Sequence, residues 1–424
     1  MARINPADYR EKFDSIRGEA GVDLLNDSHR QFVERAALDH RFTFQELRRV
    51  SEIAKDFELW GEVGLAAWWS EQLALSKLTG PALKRDLLAG LEKHVEGFAK
   101  SPTRYDTDAV KPAARESKPV VSEKTDKTIW GMCPVASEET VCCNLRTIDA
   151  VENCVFGCSY CSVQTFYTDK IVFDEDFAAK LQAIPIEPDR FYHFGTGQAS
   201  DSLAWGNKHD MLDALCEWAA AHPNVLLELK TKSNNVRYFE DHDVPPNVVC
   251  SWSLNTPVVI DHEEHFTAGL DDRIAAARAV ADRGFGVAFH FHPMVHYEGW
   301  GRDYTDVVKT LQSAFTADEV RFVSFGSVTL IKPVIRKIRR LGNPTKINQV
   351  AFVPDPLGKL TYEDDIKVEM FTTMYEAFEP WRRDVFLYLC MEKHSIWERS
   401  FGYVYESNND FEIDFGQRTL RPGS

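Results

Sequence analysis

Two textures of apolar and polar positions divide the chain. Over residues 1–100 the apolar positions recur at helical spacing. Leu47, Val50 and Ile53 follow the capping-box pattern Thr43-Phe-Gln-Glu46, and Leu83, Leu87, Leu88, Leu91 and Val95 follow Pro81. Between them, LWGEVGLAAWWS carries Trp60, Trp68 and Trp69, which are expected in a core or docking face. Residues 101–128 are polar and Pro-punctuated and predict a linker.

From about residue 140 short β-rich runs alternate with helical patterns. The strand candidates are 141–148, 190–196, 224–232, 247–255, 286–294 and 320–328. Helix candidates lie near 174–183, 207–221, 234–241, 271–283, 303–315 and 331–341. Six strand–helix units in sequence predict an α/β fold, a partial TIM-like (β/α)6 barrel over 129–349 with its site at the carboxyl ends of the strands. The mixed tail, 350–424, holds a helical pattern at 363–381, a strand-like FLYLCM at 386–391 and an aromatic-rich end.

Composition narrows the setting. No run of eighteen apolar residues predicts a membrane span, and the charged N-terminus lacks a secretory pattern, so a cytoplasmic protein with reduced thiols is expected. The formal charge of −16 disfavours long-range attraction to nucleic acid. One segment runs against it: Lys332, Arg336, Lys337, Arg339, Arg340 and Lys346, with no acid from Ser327 to Val353. That segment is either a solvated helix face or an anion-binding surface.

The chemistry concentrates in CVFGCSYC, where Cys154, Cys158 and Cys161 lie directly after the first strand candidate. Three thiolates can hold three irons of a [4Fe–4S] cluster and leave the fourth iron open. Structural zinc is the alternative, with Cys133, Cys142 and Cys143 nearby, but zinc ribbons pair two CxxC knuckles and only Cys158 and Cys161 form one.

CxxxCxxC after a first strand, followed by six βα units, resembles the radical S-adenosylmethionine superfamily. The resemblance implies cluster ligation by Cys154, Cys158 and Cys161, and Tyr160 beside the adenine of the cofactor. It implies reductive cleavage of S-adenosylmethionine to a 5′-deoxyadenosyl radical, hydrogen abstraction from a small-molecule or nucleic-acid substrate, and flavodoxin or ferredoxin as electron donor. GTGQASDSL (195–203), LELKTK (227–232), SWSLNTP (251–257), EGW (298–300) and GSVTLIKPVIRKIRRLGNPTKI (326–347) are similar to the spore photoproduct lyase family, of DNA repair photolyase type. By that resemblance Ser200, Lys232 and Ser253 contact S-adenosylmethionine.

Two positions depart from the family. Its hydrogen-donating cysteine is replaced by Gln198, and its relay tyrosine after the third cluster cysteine by Ser162. Photoproduct repair is therefore carried as the alternative to hydrogen abstraction from another substrate, with an iron–sulfur sensor or scaffold as the non-enzymatic reading. Cys142, Cys143, Cys250 and Cys390 are the remaining donor candidates. Cys250 is expected to face the helices, since Ser251 and Ser253 share the other face, and by the same argument only one of Cys142 and Cys143, either of the two, can face the interior. Cys390 is taken as catalytic, with His290 and His292, which share one face of FHFHPM and are expected to line the cavity. Glu298 and Trp300 are expected near the substrate pocket.

Overall fold

Strand residues of alternating character build the larger unit of the computed structural model, which describes residues 6–105, 118–133, 139–355 and 357–420. Its sheet contains β1 (Trp130–Met132), β2 (Arg146–Ile148), β3 (Tyr192–Thr196), β4 (Val225–Thr231), β5 (Val248–Ser253), β6 (Gly286–Met294), β7 (Val320–Ser327) and β8 (Phe386–Leu389), ordered as in the chain. β1 is antiparallel to β2 and every other pairing is parallel. The crossovers run through α6 (Phe177–Gln182), α7 (Met211–Ala221), α8 (Arg237–Asp241), α9 (Pro257–Glu263), α10 (Leu270–Asp282) and α11 (Trp300–Ala314). The late FLYLCM run, expected in the tail, is thus a further parallel strand. The strand expected over 141–148 is broken. Only Arg146–Ile148 joins the sheet, because Asn144 is left-handed at φ 52°, so the alternation argument for Cys142 and Cys143 lapses and both are buried.

The sheet is strongly curled. The rings of His193 on β3 and Phe322 on β7 lie 6.1 Å apart, although four strand spacings in a flat sheet would separate them by about 19 Å. Leu227, Leu229, Trp252, Phe289 and Phe291 face outward and are fully buried under the helices. Cys250 is buried on that outer face, as expected, close enough to Cys216 of α7 for the two thiols to interact electrostatically.

The tail folds back onto the barrel. α13 (Asp364–Ala377) and α14 (His394–Phe401) flank β8, and α15 (Asn408–Thr419) inserts Phe411 and Phe415 against His193, Phe322, Phe386 and Tyr388. Gly416 permits this approach, since a Cβ there would sit 2.6 Å from the Phe191 ring. Glu412 of α15 meets Arg146 at 2.8 Å, both buried. Thr140–Val141 pairs antiparallel with Glu392–Lys393, lacing the segment before β2 to the segment after β8. Within the stretch expected as linker, residues 106–117 lie outside the described residues, and Val120–Glu123 is a strand parallel to Ile171–Asp174.

The second unit comprises, among the described residues, 6–105 and 332–351. Its helices are α1 (Pro6–Ile16), α2 (Asp27–His40), α3 (Phe44–Trp60), α4 (Leu65–Leu75), α5 (Gly80–Lys100) and α12 (Lys332–Leu341). The capping box at Thr43 and Glu46 starts α3. Trp69 packs on Phe32 and Phe42, and Trp68 stacks on His94 at 4.8 Å, so both tryptophans serve the core. The boundary expected at 349 is corrected by α12, whose segment packs with these helices. Arg339 reaches Asp56 at 2.6 Å, and Trp60 Nε1 donates to Asn348 at 3.0 Å. The basic run is thereby divided. Arg339 and Lys346 bond within the unit, while Lys332, Arg336 and Arg340 are exposed.

Candidate active site

The cysteine loop is held from both sides. Gly157–Cys158 pairs antiparallel with Glu264–His265, and Ser159 N–H donates to Glu263 O at 2.8 Å. On the other side Asn153, left-handed at φ 70°, precedes Cys154, and its carbonyl accepts from Ser200 Oγ at 3.0 Å. Ser200 therefore lies beside the loop, as the sequence suggests. The buried hydroxyl of Tyr160 donates to Glu264, which pairs with fully buried Arg273 at 2.6 Å. Arg273 also donates to Ser253 O at 2.7 Å, tying the loop to the end of β5.

Lys232 completes the rim, with its ammonium 5.8 Å from the centre of the Tyr160 ring. Buried Asp201 fixes its position, accepting from Lys232 N–H at 2.7 Å, Thr231 Oγ1 at 2.8 Å and Ala204 N–H at 2.8 Å. The turn leading to Asp201 needs glycine at 197, where φ is +85° and a Cβ would meet Lys230 O at 2.6 Å. Gly197→Ala is expected to cost about 2 kcal/mol or more, read as a lowered midpoint in thermal unfolding. An unchanged midpoint would refute the turn's role.

Three thiols in this loop suit a metal cluster. Burial first, then Asp201 and Cys161, push the Cys154 thiol up to about 12, and burial also raises Cys158, whose neighbours Cys161 and Cys154 add to the effect. Lys232 opposes the rise at both. Thiols that disfavour ionisation on their own, grouped beside a cation, are a donor set that bound iron would satisfy. Tyr167 OH lies 3.9 Å from Cys161 Sγ, bringing a phenol beside the third cysteine where Ser162 supplies none. A cleft of about 260 Å³ borders the loop at Asp149, Asn153, Tyr167 and Ala199.

Inside the barrel lies a polar well that sequence reading only half anticipated. His290 and His292 face inward, as expected. The centre, however, is Glu228, fully buried and missed. It accepts from Ser251 Oγ at 2.6 Å, His193 Nε2 at 2.9 Å and His290 Nε2, with Lys230 Nζ at 3.5 Å. Ser324 bonds His290 from β7. Glu228 is held well below the usual carboxylate range: burial opposes its charge, but Lys230 and His290 outweigh it. Burial lowers His193, His290 and His292, the last to about 3, so all three are neutral near pH 7. The signal was present in LELKT, where Glu228 and Lys230 share a strand face between buried leucines. Cys390 ends β8 at the seam and donates its N–H to Phe325 O at 2.7 Å. Glu298 is exposed, and Trp300 opens α11 against His296.

The larger unit is thus a curled parallel half-barrel with CxxxCxxC in the loop after its first parallel strand. Residues 145–345 match the family model described as spore photoproduct lyase. Spore photoproduct lyase from Geobacillus sp. (strain Y412MC61) is 24% identical over 241 residues, which cover 54% of this chain and 71% of that protein. The Bacillus subtilis (strain 168) lyase is 25% identical over 202 residues, covering 46% and 59%. A solved variant of spore photoproduct lyase, with bound S-adenosylmethionine and dinucleoside spore photoproduct, superposes with a TM-score of 0.55 at 21% identity, over 70% of this chain and 93% of that one. That likeness concerns the fold.

Proposed function

We propose that the chain is a radical S-adenosylmethionine enzyme that abstracts hydrogen from a substrate held in the Glu228 well. The observation that carries the reading is the placement of Cys154, Cys158 and Cys161 after the first parallel strand, braced by the Glu264–His265 bridge. A [4Fe–4S] cluster held by the three thiolates would supply one electron for reductive cleavage of S-adenosylmethionine. The protein's own part is binding and orientation. Lys232 suits the cofactor carboxylate, Ser200 and Ser253 offer hydroxyls at the strand ends, and the Glu264–Arg273 pair fixes Tyr160. His292, neutral near pH 7, offers a hydrogen bond to substrate without added charge, while His290, held by Glu228 and Ser324, shapes the well.

The second reading, repair of a thymine photoproduct, draws on the names of the relatives. Gln198 weighs against repair by the family's own donor. Among the described residues no helix is long and apolar enough to cross a membrane. A cytoplasmic setting with flavodoxin or ferredoxin as donor fits the reading.

The test is anaerobic. Protein reconstituted with iron and sulfide, given S-adenosylmethionine, dithionite and dinucleoside spore photoproduct, is expected to release 5′-deoxyadenosine. Thymidine product decides the second reading. A chain fully loaded with iron that releases no 5′-deoxyadenosine overturns the first.

A further inference from the structure

Four cysteines outside the CxxxCxxC loop meet at the seam of the half-barrel. In the lacing ladder, Glu392 pairs with Val141 and Lys393 with Thr140. Cys142–Cys143 and Cys390 leave that ladder at the same end, and Cys143 and Cys390 are electrostatic neighbours. Cys142 is buried beside Cys143. Cys133 follows β1, and its N–H donates to Leu145 O at 2.9 Å, two residues from Cys143. Three separate segments thus bring thiols to one place.

The backbone there is shaped for them. Asn144 and Met391 are left-handed, at φ 52° and 56°, and each directly follows a seam cysteine, Cys143 or Cys390. Left-handed backbone is uncommon for a residue such as Met and persists only where the surroundings impose it. The same device adjoins the first cluster loop, where left-handed Asn153 precedes Cys154. A cation faces the group: Lys230, whose ammonium lies 3.5 Å from Glu228, is an electrostatic neighbour of Cys390, Cys143 and Cys133.

We propose that Cys133, Cys142, Cys143 and Cys390 hold a second iron–sulfur cluster at the barrel seam. Clustered thiolates select zinc, copper(I) or iron–sulfur centres. Among the described residues no three His, Cys, Asp or Glu side chains are gathered as around a single ion, and this holds equally for Cys154, Cys158 and Cys161. A cluster takes each thiolate on a different iron and so spreads its ligands. Lys230 offsets part of the negative charge that four thiolates bring. The assignment gives Cys390 to metal ligation in place of the hydrogen donation expected of it. It goes beyond the proposed activity and stands without it.

The test removes the first site. Cys154→Ala/Cys158→Ala/Cys161→Ala, reconstituted anaerobically, is expected to keep about four iron and four sulfide per chain, against about eight of each in the unaltered protein. Adding Cys143→Ser and Cys390→Ser removes the remainder, with circular dichroism confirming that the protein is folded. If that last variant does not fold, the triple variant decides alone. A triple variant without iron, or with zinc in its place, overturns the second cluster. Neither result depends on cleavage of S-adenosylmethionine, so this proposal and the proposed activity fail separately.

Discussion

Cys158→Ala is expected to abolish release of 5′-deoxyadenosine, down to the background of metal-free protein, while Cys250→Ala is expected to retain it. The two thiols are both buried, and their environments decide the difference. Cys158 sits in the bridge to Glu264 with Cys154 and Cys161 as electrostatic neighbours, whereas Cys250 faces the helices on the outside of the sheet. Losing the Cys158 thiolate would leave two of the three proposed ligands, too few to hold a cluster by three irons. Losing the Cys250 thiol removes packing and lowers stability by roughly 1–2 kcal/mol. Chromatographic assay of 5′-deoxyadenosine, run beside iron analysis and thermal unfolding, separates chemistry from folding. Cleavage by Cys158→Ala at the unaltered rate would remove this loop from the reaction.

The same comparison shows what the sequence made legible. Alternation placed Cys250 outward and His290 and His292 inward, because a strand has a period of two and each of these strands is unbroken. It failed at Cys142 and Cys143, where left-handed Asn144 ends the alternation. The boundary at 349 failed for another reason. The helical pattern of 332–341 states that a helix forms, and its partner is set by Asp56, far away in sequence, which receives Arg339. Ser200, Lys232 and Ser253 were assigned through the resemblance of local motifs at strand ends. Glu264 and Arg273, which brace Tyr160, could not be, since their pairing depends on how α10 packs. Glu228 lay between these cases: its strand face was readable, but its partners come from three other strands.

Glu228→Gln is expected to cost about 3–5 kcal/mol at pH 7, which for a unit of this size lowers the unfolding midpoint by roughly 10 °C. The variant keeps the shape of the side chain but leaves Lys230 without its buried counter-charge and gives His193, His290 and Ser251 a poorer acceptor. The pH dependence carries the sharper test. The folded pKa of Glu228 lies below its ordinary value of 4.5, so its contribution is complete above 4.5 and is lost as pH falls through the folded value. The folded pKa values of His193, His290 and His292 lie below 6.5, so the unfolded chain takes up protons first and both proteins lose stability as pH falls below 6.5. Only the unaltered protein has the Glu228 contribution still to lose. The gap between the two midpoints should hold down to about pH 4.5 and narrow below it. A gap that widens as pH falls toward 4.5 would mean that Glu228 is protonated in the fold, since the unfolded chain alone would then take up its proton there, and the well would be a neutral hydrogen-bond network rather than a charged one.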